Sequence, residues 1–280
     1  MNIDTTIVND YLSGGCQYKS HWIFKRIDED KGFLFESPLV TKMQVVQNGM
    51  NDVLSSLKEF CPYNLGLFKR LFPKWKELCD TVNIILSVGC PAPYDAMVRE
   101  HDGEEFIILD LIRLLEYKAD IGMLMTPFLT HELTHICIHA DYPDVPAGAD
   151  YCNRLKYITF DEGFAHLLAY RDNIENIDFS SLVKEHYQKA LYKLKEAISE
   201  RESEKQKAYL EESNAGDYWN KYGAICGKLY LAMNLDNLEM VYKAGPDKLY
   251  DSIIRESMGL IEEYNARETK HIVADERVVK

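Results

Sequence analysis

The segment His131-Glu132-Leu133-Thr134-His135 constrains this chain more than any other, because two histidines four residues apart beside a glutamate carry a defined chemistry only on a helix. At about 100° per residue, side chains four apart are surface neighbours one turn above each other. His131, His135 and His139 then share one arc with Glu132, while Leu129, Leu133, Ile136, Cys137 and Ala140 fall on the opposite side. One face is built to pack and the other to react. Thr126-Pro127 reads as the start of this helix, with a hydroxyl at the N-cap and a proline at the first helical position. H-E-x-x-H in this setting points to zinc, with two imidazole ligands and a glutamate placed to take a proton from water. An ordinary amphipathic helix can carry the same five letters, so a third ligand is required.

Zinc held by two histidines needs at least one more N, O or S donor, and catalytic sites leave a fourth position open. Glu162 is the candidate, 27 residues after His135. It lies in Thr159-Phe160-Asp161-Glu162-Gly163-Phe164-Ala165-His166-Leu167-Leu168, which reads as a second helix. Phe160, Phe164, Leu167 and Leu168 gather on one side, with Glu162 and His166 on the other. Gly163 and Ala165 border the polar edge and are small enough to let this helix approach the first one closely. Thr159-x-x-Glu162 is also a capping-box pattern, in which the glutamate would only satisfy an N-terminal amide.

These motifs resemble those of the gluzincin metallopeptidases, the thermolysin-like and M1-aminopeptidase-like superfamily with an HExxH helix and a downstream glutamate ligand. His131-Glu132-Leu133-Thr134-His135 matches the thermolysin-type letters, and Asp161-Glu162-Gly163-Phe164-Ala165 is similar to the N-E-G-F-A form of the glutamate helix in aminopeptidases. The resemblance covers about residues 82–240 in outline, with its specific letters confined to 131–135 and 161–166. It implies a zincin-like fold, Zn2+ as cofactor, His131, His135 and Glu162 as its ligands, and Glu132 as general base. His166, His139 and Asp161 are candidates for polar groups that orient those ligands. The superfamily often uses a tyrosine to hold the oxyanion, and Asp217-Tyr218-Trp219-Asn220-Lys221-Tyr222-Gly223 looks like its tyrosine-plus-glycine helix, which offers Tyr218 or Tyr222. Three features depart from the pattern. The spacing to Glu162 is long, Asp161 stands where asparagine is usual, and no G-x-M-E-N-like segment for gripping a substrate amino terminus is present. A metzincin reading fails on spacing, since His139 follows His135 by four residues with no intervening glycine.

Charge and cysteine usage narrow the partners. The formal charge of −13, from 45 acids against 32 bases, opposes binding to nucleic acid and to anionic membranes. Seven scattered cysteines without a C-x-x-C pair argue for reduced thiols. The amino terminus has neither a basic start nor an apolar signal core, and no segment reaches the length of a membrane span. The expectation is a cytoplasmic protein whose partner is a peptide substrate; nothing in the sequence speaks to oligomeric state.

The remaining chain reads as α+β, mostly α, in three parts, or as one compact two-lobed unit: a mostly helical region over 1–80, a zincin-like core over 81–175 and a helical C-terminal lobe over 176–280. Segments 22–24 and 33–35 are read as a hairpin or irregular, and 39–60 and 65–79 as helices. Residues 82–88 and 105–109 are the two strands of a small sheet before the HExxH helix. The superfamily binds extended substrate backbone along a sheet edge, which implies Phe106, Ile107, Ile108 and Leu109 as the upper rim of the cleft. The loop 141–157, with Pro143, Pro146 and Gly148, is expected to shape access, and the charged stretch 190–212 reads as a solvated face. The sequence thus predicts a zinc-dependent endopeptidase acting on small or unstructured peptides. Two other readings keep the metal: a zinc-stabilised binding module without catalysis, and a hydrolase of a non-peptide amide.

Overall fold

The computed structural model describes residues 1–25, 34–92, 94–117, 121–143 and 150–255. The chain parts into two compact units, Met1–Ala140 with Leu168–Ile174, and Asp141–Leu167 with Glu175–Lys280. The first 80 residues are not separate from the sheet, because their first strand is a member of it.

The first unit holds β1 (Asn2–Asp4), α1 (Thr6–Leu12), α2 (Met43–Lys58), α3 (Leu65–Leu71), α4 (Trp75–Thr81), β2 (Asn83–Ser87), β3 (Ala96–His101), β4 (Glu104–Asp110), α5 (Leu111–Glu116) and nearly all of α6 (Ile121–Asp141). The sheet order is β1-β2-β4-β3, with β1/β2 and β2/β4 parallel and β3/β4 antiparallel. Both central strands read as unbroken apolar runs because each is covered on both faces; the consecutive residues Ile84, Ile85 and Leu86, and Ile107, Ile108 and Leu109, are buried. Asp102 and Gly103 join β3 to β4 with φ of +53° and +79°, the two positive dihedrals that a tight two-residue hairpin turn needs. Asp110 ends β4 and caps α5. One carboxylate oxygen accepts from the amides of Ile112 and Arg113 at 3.0 and 3.1 Å, and the other from the Cys90 amide at 2.7 Å. Trp22–Phe24 is a short 3-10 turn rather than a strand, and residues 26–33 lie outside the described residues, Phe33 among them.

The sequence places the start of the HExxH helix at Thr126-Pro127, but α6 is already formed at Ile121 and carries Pro127 inside it. The proline removes one intrahelical hydrogen bond without ending the helix. The helix is also buried on more than the expected stripe: Leu129, Leu133, Cys137 and Ile138 are enclosed together with Thr130, Glu132 and Thr134, whereas Ala140 is exposed. Thr130 and Thr134 satisfy their hydroxyls on the carbonyls one turn back, Thr126 and Thr130, each at 2.7 Å.

The second unit is helical: α7 (Tyr151–Leu168), α8 (Ser180–Leu182) running through a π-turn (Val183–Tyr187) into α9 (Gln188–Ser199), α10 (Ser203–Asn214), α11 (Tyr222–Met233) and α12 (residues 238–255). The loop expected over 141–157 is shorter, because Tyr151 to Tyr157 already belong to α7; 144–149 lie outside the described residues. α11 packs on α9 and α10 and is buried from Tyr222 to Ala232. α7 meets α11 at glycine against glycine. A Cβ on Gly163 would stand 2.9 Å from the Cα of Gly227, and a Cβ on Gly227 would stand 2.0 Å from the carbonyl oxygen of Thr159. Gly163 thus serves the contact with α11: no larger side chain fits where two backbones touch. On the other side of α7, Phe160 and Phe164 pack with Tyr242 in an aromatic cluster joined by Tyr142.

Gly227→Ala is expected to cost about 3 kcal/mol or more, since the clash is with backbone and neither helix can yield locally. Gly66→Ala, on α3 where an added Cβ would meet only Arg70 Nη1 at 3.9 Å, should be neutral or slightly stabilising. Urea unfolding of the two variants checks this; equal effects would mean the helix contact is not tight.

Candidate metal centre

α6 presents His131 and His135 one turn apart with their Nε2 atoms 3.0 Å from each other. Two imidazole nitrogens sharing a tetrahedral zinc at about 2.0 Å stand about 3.3 Å apart, so the pair is set at ligating distance. Glu132, between them in sequence, is only 8% exposed. His139 lies one turn further along, with its Nδ1 3.2 Å from a carboxylate oxygen of Glu105 at the start of β4.

On α7, Glu162 is fixed by two neighbours of its own unit. Its Oε1 accepts from Asn214 Nδ2 at 3.2 Å, and its Oε2 lies 3.4 Å from His166 Nε2, one turn on. The capping-box alternative does not hold, because Thr159 sits in the middle of α7 and its hydroxyl donates to the Leu155 carbonyl at 2.9 Å. Glu162 has no helix start to cap there.

Taking one donor atom from each residue, His131, His135 and Glu162 form a group whose ligand atoms lie within 4.8 Å of one another, and so do His135, His139 and Asp161. Each group can hold a metal ion. The two share His135, and the first has the donor set of an open zinc site, two imidazoles and one carboxylate. In the second, His139 already has Glu105 as a partner and Asp161 is largely buried, 8% exposed.

The two candidate tyrosines part company. Tyr222 is buried and gives its hydroxyl to the Tyr209 carbonyl at 2.7 Å; burial pushes its pKa up, which leaves a phenol occupied with structure. Tyr218 does not share a helix face with it, since it opens a short 3-10 turn (Tyr218–Asn220) ahead of α11. Its ring stands edge-on to His166 with centroids 5.2 Å apart, and its hydroxyl oxygen is 2.7 Å from Lys228 Nζ. Lys228 is fully buried, and burial pushes its pKa down to about 7.

Asn214, Glu105 and Lys228 were not singled out from the sequence. Lys228 had a signal: it is the one charged residue in the apolar run from Tyr222 to Met233, immediately after the glycine that contacts α7.

Phe106, Ile107, Ile108 and Leu109 lie in β4, which is paired on one side with β2 and on the other with β3. Their backbone has no edge to offer an extended peptide. Among the described residues the edges of the sheet are β1 and β3; from β3, Arg99 donates to the Ile23 and Lys25 carbonyls.

No known protein family matches the sequence, and no curated protein or solved structure matches it either.

The two donor groups make opposite predictions for single-histidine variants. His131→Ala should lose the bound metal while His139→Ala keeps it, as read by elemental analysis of the purified proteins after zinc loading. Loss in His139→Ala with retention in His131→Ala would assign the ion to the second group.

Proposed function

We propose that this protein is a zinc-dependent hydrolase of peptide bonds, with His131, His135 and Glu162 holding the ion and Glu132 serving as general base. The observation that carries this reading is the donor group of two imidazoles and a carboxylate, with a nearly buried glutamate between the two histidines in sequence. Three protein ligands leave a tetrahedral ion one position for water or substrate, as hydrolysis requires. When bound, zinc supplies Lewis-acid chemistry, acidifying water and polarising a carbonyl. Glu132 accepts the water proton and returns it to the leaving amine. His166 and Asn214 hold the Glu162 carboxylate in orientation, a role that such partners of metal ligands commonly fill. Tyr218, whose ring stands edge-on to His166, is the phenol we assign to the oxyanion, rather than Tyr222, whose hydroxyl donates to the Tyr209 carbonyl.

Peptide as the substrate class rests on the likeness of the two motifs to gluzincins, and strand addition along β3, one of the two edge strands, is the mode of backbone binding we assign. A hydrolase of another amide would use the same residues and differ only in what it cleaves. The group of His135, His139 and Asp161 favours a different reading, a zinc-stabilised binding module, because ligands drawn from both groups would close the coordination shell. A closed site has no use for Glu132 as a base. Seven free thiols suit a reducing compartment, and we place the protein in the cytoplasm. Among the described residues no helix is long and apolar enough to cross a membrane.

Glu132→Gln keeps volume and hydrogen bonding but removes the base. Zinc content should be unchanged while cleavage of a peptide library, followed by mass spectrometry, falls by about two orders of magnitude or more. Loss of zinc along with activity would make Glu132 a ligand and overturn this mechanism. Acetylating substrate amino termini should leave cleavage largely intact; stepwise release of single residues that acetylation abolishes would mean an aminopeptidase instead.

A further inference from the structure

We propose that His186 is a positioning residue for the metal: stacked on Trp219, it braces a line of rings that ends at Glu162 and keeps that carboxylate turned to the ion. This rests on the reading of Glu162 as a zinc ligand.

The line begins where a helix is irregular. α8 enters α9 through the π-turn Val183–Tyr187, a form that is rare and often found at functional sites. From this turn His186 lies flat on the Trp219 ring, with centroids 3.9 Å apart and planes 9° from parallel. Its Nε2 lies 3.6 Å from Glu185 Oε1, so the stack uses the face of the ring and leaves the edge to a neighbour. One turn on, Lys189 donates from Nζ to Asn220 Oδ1 at 3.1 Å. His186 and Lys189 are three apart, and together they grip two consecutive residues of the Tyr218–Asn220 turn from one side. A turn of three residues cannot hold itself, so what it packs against sets its place.

From Trp219 the contacts pass to the carboxylate ring by ring. Tyr218 stands edge-on to Trp219, with centroids 4.9 Å apart at 87°, and His166 stands edge-on to Tyr218, at 5.2 Å and 88°. His166 Nε2 then lies 3.4 Å from Glu162 Oε2. A T-shaped pair loses its contact when either ring turns, so each ring restrains the next. The Tyr218 hydroxyl also meets Lys228 Nζ at 2.7 Å, which makes His186 one of two restraints on that ring. Removing it should therefore cost the lower end of the roughly ten- to hundredfold in affinity that partners of metal ligands commonly contribute. His186 touches neither the ion nor a ligand and acts through Trp219.

The test measures the zinc affinity of the full chain by competition with a chromophoric chelator. His186→Ala should weaken zinc binding about tenfold, and Trp219→Leu should weaken it as much. The two together should cost no more than either alone. His186→Phe, which keeps a flat ring, should stay within about twofold of wild type. Alanine is the better helix former, so a loss in His186→Ala does not come from the helix. Lys189→Met, which removes the grip on Asn220, should weaken binding in the same direction by less, and it carries the test if His186→Ala folds poorly. A second readout needs neither metal nor activity. In zinc-free protein the Trp219 emission, separated from that of Trp22 and Trp75 as the part that Trp219→Phe removes, should move to longer wavelength in His186→Ala and stay in place in His186→Phe. Unchanged zinc affinity in His186→Ala, an equal loss in His186→Phe, or additive losses in the double variant overturn the proposal. If Glu162→Ala holds zinc as tightly as wild type, the reading of the site fails, and the emission alone still decides whether His186 holds Trp219.

Discussion

The contact of Gly163 with Gly227 is the constraint on which the polar half of the candidate centre depends. Two helices usually pack 8–10 Å apart, a distance set by their side chains. Here α7 and α11 touch backbone to backbone, since a Cβ on Gly227 would fall 2.0 Å from a carbonyl oxygen of α7. That closeness puts the residues flanking the two glycines within reach of one another. Glu162 precedes Gly163, and Lys228 follows Gly227. The turn before α11 then brings Tyr218 onto His166, and the end of α10 brings Asn214 onto Glu162. Four elements of one unit thus converge around one carboxylate because two residues lack side chains.

The polar groups gathered there are expensive to bury, and the structure meets that cost by pairing them. Glu162 has an amide and an imidazole, and Lys228 has a phenol oxygen and two aromatic faces. A buried network is worth having only when its members are satisfied. The first unit solves a similar problem at Asp110, whose two oxygens take three backbone amides where β4 turns into α5. In that case the result is a rigid corner, whereas around Glu162 it is a set of donors and acceptors gathered at a carboxylate that could hold a metal ion.

What could be read in the sequence was what repeats locally. The spacing of His131, His135 and Glu162 and the apolar neighbours of each revealed two helices, and both helices are present. Their beginnings were misjudged because Thr126-Pro127 and Thr159 carry the letters of helix starts, while the buried surroundings of α6 and α7 carry helix through them; tertiary burial overrides an end signal. The strand β3 was legible and missed: Asp102-Gly103 is a strong hairpin signal, but Arg99, Glu100 and His101 disguised the strand before it. β1 was not legible, since three residues show no period and pair with partners some 80 positions away. Lys228 was hidden for a different reason, for a lysine in an apolar run announces that it is paired without saying with what, even when the partner, Tyr218, is ten residues away. The choice between Tyr218 and Tyr222 likewise turned on where each hydroxyl ends, at Lys228 or at the Tyr209 carbonyl.

The claim at the centre of this account is that His131, His135 and Glu162 are the ligands of one zinc ion with a position left open. X-ray absorption at the zinc edge of the metal-loaded protein tests it most directly. Two imidazole ligands and oxygen from carboxylate and water are expected, all at about 2.0–2.2 Å, with no sulfur. A spectrum requiring three imidazoles, or a thiolate at about 2.3 Å, would contradict it.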